Sequence, residues 1–403
     1  FDIPAKYFTH FYSMKIKEEN LSFTIDDGKI VNSKIYISNK KNASVITNKH
    51  IEILDLNFKN FNDLRQLMFH HNEHLSRINK ISYSKLHKEK KVKILSSIVF
   101  NQNKLHVNFN GVVPEIAARA HCEKIDICTK EALKKASLSI KDIDLISVTS
   151  GPGLIGGLLS GVMFAKGLAR GLKIPLIGVN HLAAHCFSVK IFHKINFPYL
   201  TLLVSGGHCQ FLIVKNVDSF VRIGGTIDDA PGECFDKIAT FLGIGYPGGP
   251  LVELKSKNGN ENRFPFPKPL MDNTCNMSFS GLKTAVKRET EKLIADQGGL
   301  YHGDVEDICA SFQKTTSEIF KYKTMNAIKF FNNNFEGDKN LAIVGGVAAN
   351  KKIRRELQQV AFQNDFKYLT VPAQYCTDNA AMIAYLGFEK FLKDTSKTFH
   401  FLG

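Results

Sequence analysis

Largely apolar runs of four to six residues recur along the C-terminal three quarters of the chain. They lie at 144–149, 174–179, 199–204, 341–344 and 368–371, each bounded by turn-forming residues. Short runs with no polar alternation are the pattern of strands buried on both faces, as in parallel sheets. Between them, apolar residues repeat every three to four positions from Pro114 to about Lys135, from the Ser150–Gly157 turn to Leu172, and from Val305 to Phe331. These stretches predict amphipathic helices, with Pro114 at a first turn where its missing N–H costs nothing. A further helix containing Glu233, Asp236 and Lys237 is expected to end at Gly243, and a C-terminal helix to begin at Thr377-Asp378-Asn379. Gln210–Val214 is expected to return as a hairpin on 199–204, and Val92–Phe100 reads as one more strand. Strand, glycine turn and helix in repetition predict an α/β fold.

Residues 1–92 carry a weaker pattern. Short β-like runs lie at Leu21–Ile25, Lys34–Ile37 and Ile51–Leu56, and Asp26-Asp27-Gly28 suits a hairpin turn between the first two. A polar, basic tract follows from His70 to Lys93. The expected organisation is therefore a divergent segment over 1–92, one α/β half over 93–198, and a second over 199–403 that includes the C-terminal helix.

At 403 residues the chain is long enough for more than one hydrophobic core. It has no uninterrupted apolar stretch long enough to span a membrane. The formal charge of +15 favours association with polyanions, nucleic acid foremost, although a Lys- and Asn-rich coding bias gives the same balance. Eight cysteines without a Cys-x-x-Cys pair argue against a zinc knuckle or a disulfide framework, and for a reducing compartment. The chain begins at Phe1 rather than Met, so a targeting peptide is neither indicated nor excluded.

Candidate chemistry sits in the turns. Glycine-rich turns at Ser150–Gly157, Ser205–His208, Tyr246–Pro250 and Gly345–Asn350 leave apolar strands or a helix, where backbone can approach a ligand and helix-terminal amides favour anionic oxygens. Four of them in two successive α/β units point to a nucleotide held between two lobes. None has the Walker A spacing, and no Gly-x-Gly-x-x-Gly opens the first unit, which removes the P-loop and Rossmann readings. His181 and His185, in Asn180-His-Leu-Ala-Ala-His185, share one helix face one turn apart. Such a pair is either structural or two ligands for one ion. Asp378, between a strand and a helix, is either an N-cap or a third ligand. Together they would make an open three-ligand site.

Nine strings resemble the tRNA N6-adenosine threonylcarbamoyltransferase family in the family's order. They are Gly111-Val-Val-Pro-Glu-Ile-Ala-Ala-Arg-Ala-His121, Ser150-Gly-Pro-Gly-Leu-Ile-Gly-Gly157, Asn180–His185, Val204-Ser-Gly-Gly-His208, and Ile227-Asp-Asp-Ala-Pro-Gly-Glu-Cys-Phe-Asp-Lys237. Tyr246-Pro-Gly-Gly-Pro250, Ser278-Phe-Ser-Gly-Leu-Lys-Thr284, Gly345-Gly-Val-Ala-Ala-Asn350 and Cys376-Thr-Asp-Asn-Ala-Ala-Met-Ile-Ala384 complete the set. The resemblance implies two related lobes of the actin/Hsp70/sugar-kinase-like fold with the active site in the cleft between them. It also implies transfer of threonylcarbamoyl from threonylcarbamoyl-adenylate, supplied by a separate synthase, to N6 of the adenosine 3′ of the anticodon. The tRNAs concerned read codons that start with A, and AMP is released. His181, His185 and Asp378 are then the ligands of one divalent ion, with Fe(II), Zn(II) and Mn(II) undistinguished. Val204, Ser205, Gly206, Gly207, His208, Asp236, Gly249, Glu253 and Asn350 are the implied adenylate contacts; no catalytic residue is implied.

The family's opening strand and Thr-Ser-Cys-Asp-(Asp/Glu)-Thr turn have no counterpart before Lys93. A mispredicted first exon or retained intron is the expected cause, with a genuine divergent N-terminus or a degenerate protein as the alternatives. The string forms are those of the bacterial and organellar branch, which implies a mitochondrial homodimer, or, from a bacterial source, a cytoplasmic enzyme working with accessory partners. Two rival functions remain beside a sugar-kinase-like phosphotransferase, which would rest on fold alone, and fold does not set chemistry. One is a non-catalytic tRNA- or protein-binding homologue. The other is a metalloprotease, disfavoured because Leu182 stands where a zincin carries its glutamate.

Overall fold

The computed structural model describes residues 92–393, apart from 107, 108, 110 and 111, together with five strands of the N-terminal segment. Those strands are β1 (Phe11–Met14), β2 (Leu21–Asp26), β3 (Lys29–Ser38), β4 (Asn42–Ile46) and β5 (Ile51–Glu52). The chain divides into two compact units, Phe1–Met14 with Ile94–Gly403, and Lys15–Lys93. In the smaller unit β2 to β5 form an antiparallel sheet in sequence order. The expected hairpin is there, with Asp26 paired to Lys29, although residues 27 and 28 at its tip lie outside the described residues, as do 53–56.

The larger unit holds two sheets. In the first, β6 (Leu145–Gly151) and β7 (Leu176–Asn180) run parallel, with Val148 opposite Gly178, and β1 pairs antiparallel with the far edge of β6. Around it lie α1 (Pro114–Ala136), α2 (Ile155–Leu172) and α3 (His181–Phe192). Both strands have the near-continuous burial that their apolar runs demanded.

In the second sheet β8 (Tyr199–Val204), β9 (Cys209–Asn216) and β10 (Ser219–Gly225) form an antiparallel meander. The strands β11 (Asn340–Val344) and β12 (Lys367–Thr370) continue parallel to β8, giving the order β10-β9-β8-β11-β12. Every residue of β8 and β11 is buried, because helices cover both faces. One face of these strands carries α3, and the other is covered by α4 (Pro231–Phe241), α5 (Gly248–Lys255), α6 (Ser280–Gln297), α7 (His302–Asn334) and α8 (Lys351–Gln363). Their apolar sides, Phe235, Phe279, Phe312 and Phe320 among them, form one continuous core with Leu200, Leu202 and Ile343. Burial of a large apolar side chain contributes about 1.5–3 kcal/mol, so this cluster is the main anchor of the second half.

Two expectations change. Residues 92–100 form no strand: Leu95, Val99 and Phe100 are exposed and only Ser96 is buried, its hydroxyl donating to Ala132 O at 2.8 Å. The run has the composition of a strand but pairs with none of the described strands. The C-terminal helix α9 (Ala380–Lys393), expected with the second half, packs on β6, β7 and α3 of the first. A Cβ on Gly387 would lie 2.0 Å from Ser147 Oγ, so only glycine lets α9 lie this close to β6. No helix among the described residues is long and apolar enough to cross a membrane.

Candidate functional site

The strand–turn–helix units of the two sheets place their chemistry alike. The helix α3 follows β7 directly, and the Asn180 side chain caps it by accepting from Ala183 N at 3.0 Å. Its first turns are almost wholly buried against β7, β8, β11 and α9, and Ala183 and Ala184 allow that close packing. Asp378 arrives from the other sheet, after β12. Its alternative role as an N-cap is taken by its neighbour: Asn379 Oδ1 accepts from Met382 N at 3.1 Å, and its Nδ2 donates to Tyr375 O and Thr377 O. Relieved of capping, Asp378 meets the histidines. His185 Nε2 lies 3.0 Å and His181 Nε2 3.4 Å from the same oxygen, Oδ1, and one donor atom from each of the three residues falls within 4.8 Å of the others.

The electrostatics fit a cation. Burial works to raise the Asp378 carboxyl, but the His181 and His185 side chains outweigh it and hold it well below the usual carboxylate range. Burial lowers His185, so a neutral imidazole is the favoured form. His185 Nδ1 is buried without a hydrogen-bond partner, so no contact other than Asp378 commits the proton to Nε2. Two imidazole nitrogens and a carboxylate oxygen meeting at one point need positive charge between them, supplied by protons or by a divalent ion. Two nitrogen donors and one carboxylate are a donor set for a first-row transition metal.

The expected adenylate contacts fall into two groups. Val204 ends β8, and Ser205–His208 form a tight turn closed by Ser205 N donating to His208 O at 2.7 Å. Burial first, then the charges of His181 and His185, push His208 down to about 4. The neighbouring turn leaves β11, where Gly345 has a φ of +98° and a Cβ would lie 2.3 Å from Val204 O. The two glycine turns therefore abut at the carboxyl ends of adjacent parallel strands, the usual crevice for ligands in open α/β sheets.

The second group surrounds α5. Asp236 Oδ1 accepts from Gly248 N at 2.7 Å at the start of α5, and Gly249 lies in its first turn. Glu253, further along α5, accepts from Lys351 N at 2.8 Å, and Asn350 caps α8 by accepting from Ile353 N at 3.1 Å. Glu253 and Asn350 thus stand together at the N-terminus of α8.

A sequence model described as tRNA N6-adenosine threonylcarbamoyltransferase matches residues 93–385. The chain belongs to that family. Among curated relatives, the threonylcarbamoyltransferase of Ruegeria sp. (strain TM1040) is 52% identical over 302 residues, 75% of this chain and 83% of its own. That of Paracoccus denitrificans (strain Pd 1222) is 53% identical over 299 residues, 74% of this chain and 83% of its own. Among solved structures, HypF of T. kodakarensis covers 66% of this chain and 44% of its own, at 17% identity and a TM-score of 0.49.

Several family strings turn out to be ties within the second half. Asp228 caps α6, accepting from Phe279 N at 2.8 Å and from the Ser278 hydroxyl at 2.5 Å, and Lys283 pairs with Asp229. The Ile227 and Ser278 strings of the threonylcarbamoyltransferase pattern are thereby one structural device. Sequence reasoning missed Asn379 as the cap that frees Asp378, although the adjacent Asp-Asn offered two candidates for one role. It also missed Gln313, buried in α7, which hydrogen-bonds Asn350 at 2.7 Å. No local pattern marks that pair.

Proposed function

We propose that this chain transfers the threonylcarbamoyl group of threonylcarbamoyl-adenylate to N6 of the adenosine 3′ of the anticodon in tRNAs reading codons that start with A, releasing AMP. The observation that carries this is the convergence of His181, His185 and Asp378 in a chain that matches the threonylcarbamoyltransferase family over 93–385. The two α/β halves are read as the lobes of an actin/Hsp70/sugar-kinase-like fold. In support, the β10-β9-β8-β11-β12 sheet has its glycine turns at the carboxyl ends of β8 and β11.

His181, His185 and Asp378 would hold one divalent ion, whose chemistry there is that of a Lewis acid on the carbamoyl carbonyl. The Ser205–His208 and Gly345–Asn350 turns would take the phosphate and keep the adenylate in register. Asp236 and Glu253 are carboxylates suited to ribose hydroxyls, and Asn350 is an amide that can both donate and accept. AMP is a good leaving group, so most of what the protein supplies is positioning. The net charge of +15 supports a polyanionic acceptor, with affinity that falls as salt rises.

The direct test supplies threonylcarbamoyl-adenylate and an anticodon stem-loop RNA to the ion-loaded chain and looks for modified adenosine by mass spectrometry. Modified adenosine supports the assignment, and its absence with folded, ion-loaded protein defeats it. One feature favours the non-catalytic reading: the far edge of β6 is occupied by β1 running antiparallel, whereas in the second sheet the corresponding edge of β11 carries the parallel β8. The same assay decides between the two.

A homodimer is supported by Ile155, Leu159 and Met163, which form a row on one side of α2 with exposures of 73%, 53% and 61%. Leu159→Asp should make a wild-type dimer monomeric in sedimentation, and an unchanged mass would remove this surface from consideration. The mitochondrial address is carried by the branch resemblance alone, and the relatives named above are bacterial.

A further inference from the structure

Asn350 makes two contacts of opposite polarity. Its Oδ1 accepts from Ile353 N at 3.1 Å, and its Nδ2 donates to Gln313 Oε1 at 2.7 Å. A backbone N–H can only donate, so the helix fixes which end of the Asn350 amide is oxygen. The same logic propagates. With Oε1 turned to Asn350, Gln313 has Nε2 left to donate to Ser256 Oγ at 2.8 Å, and the Ser256 hydroxyl donates onward to Glu253 O at 2.9 Å. The Glu253 carboxylate returns to α8 by accepting from Lys351 N at 2.8 Å. These hydrogen bonds, closed into a ring by the Glu253 side chain and the Asn350–Lys351 backbone, join α5, α7 and α8.

Gln313 is the member of this ring with the least freedom. It is 5% exposed, it projects from the middle of a 33-residue helix, and both ends of its amide are committed. Asn350, 7% exposed, still has a second Nδ2 hydrogen and a second lone pair on Oδ1. Without Gln313, one of the two contacts that set the Asn350 amide plane is lost.

We propose that Gln313 is a positioning residue of the adenylate site, holding the Asn350 amide in the one orientation that offers its remaining hydrogen to the nucleotide. Gln313 does not touch the nucleotide itself. This rests on the assignment of Asn350 as an adenylate contact made above.

The experiment measures AMP affinity by calorimetry on the full chain for wild type, Gln313→Leu, Asn350→Ala, the double variant and Gln313→Glu. Loss of one hydrogen bond of ordinary strength predicts affinity about five- to tenfold weaker in each of the first two single variants. A residue acting only through Asn350 adds nothing once Asn350 is gone, so the double variant should bind AMP as Asn350→Ala does. Gln313→Glu keeps an acceptor for Asn350 Nδ2 but loses the donor to Ser256 Oγ, so it should weaken AMP less than Gln313→Leu does, by about two- to threefold. Melting temperature with and without a divalent ion reports folding and the metal site independently. The ion-induced rise should be the same in all five proteins.

Wild-type AMP affinity in Gln313→Leu, or an effect that adds in full to Asn350→Ala, overturns the proposal. Wild-type affinity in Asn350→Ala instead overturns the assignment beneath it, whatever Gln313→Leu does. Should Gln313→Leu fail to fold, Ser256→Ala removes the far anchor of the ring. It should weaken AMP about two- to threefold, the low end of a single hydrogen bond, and only while Asn350 is present; an effect that persists in Asn350→Ala overturns the proposal equally.

Discussion

Replacing Asp378 with asparagine keeps the side chain's shape and one carbonyl oxygen, but removes the charge on which two imidazoles converge. In the ion-free protein the 3.0 Å contact from His185 is a hydrogen bond to a charged group, and the 3.4 Å contact from His181 is beyond the usual range. A charged hydrogen bond is worth about 1.5–3 kcal/mol and its neutral replacement about 1 kcal/mol, so the substitution should cost about 1–2 kcal/mol. At about 2–4 °C per kcal/mol, the melting temperature falls by a few degrees. The larger effect appears when an ion is present. At a hundred times its dissociation constant an ion adds about 2.7 kcal/mol, raising the wild-type melting temperature by about 5–11 °C. Asp378 is the anionic member of the three-ligand set, and its loss should weaken the ion by at least about 100-fold, the upper end of what losing an outer-shell partner costs. At the same ion concentration the gain then shrinks to about 0.4 kcal/mol, close to nothing on the temperature scale. Differential scanning calorimetry in chelator, then with Zn(II), Mn(II) or Fe(II), reads both effects. An Asp378→Asn protein with the wild-type ion-induced rise would refute the three-ligand site.

Other outcomes follow from single positions. Gly345→Ala places a Cβ 2.3 Å from Val204 O at a φ of +98°. The strain and overpacking should together cost about 2–6 kcal/mol and weaken AMP binding with the displaced turn; an unchanged melting temperature would show that the two turns do not abut. His208 titrates at about 4 in the folded chain and near 6.5 when unfolded. Protons therefore bind the unfolded chain first as pH falls, and stability that is complete above about 6.5 is lost progressively towards 4, by roughly 3 kcal/mol at most. In chelator, the urea midpoint of wild type should drop more between pH 7.5 and 5 than that of His208→Asn; parallel drops would refute burial as the source of the shift.

The buried parallel strands β6, β7, β8 and β11 were legible because strands covered on both faces read as largely apolar runs. The histidine pair and its Asn180 cap were legible because helix spacing and capping are local. Residues 92–100 misled because strand composition says nothing about whether a partner edge exists. The helices α5 and α6 escaped notice for a related reason. Gly248-Gly249-Pro250 reads as a turn although Asp236 caps a helix there, and Ser280–Gln297 is too polar to announce a buried face. The choice between Asp378 and Asn379 as cap was not decidable locally, since either side chain can accept from a helical N–H. It took the two imidazoles, 193 and 197 residues away in sequence, to settle which one was spared. Gln313 and Asn350 lie 37 residues apart, and their contact exists only once α7 crosses beneath the start of α8.

The three side chains proposed to hold the ion are divided between the sheets, two after β7 and one after β12. Ion affinity is therefore a gauge of the gap between those two strand ends. Any molecule that draws the turns of the second sheet towards α3 tightens the ion, and by thermodynamic reciprocity the ion tightens that molecule by the same factor. For the proposed adenylate, if it draws the turns in this way, scarcity of the ion would weaken capture while the Phe-rich core of the second half kept the protein folded.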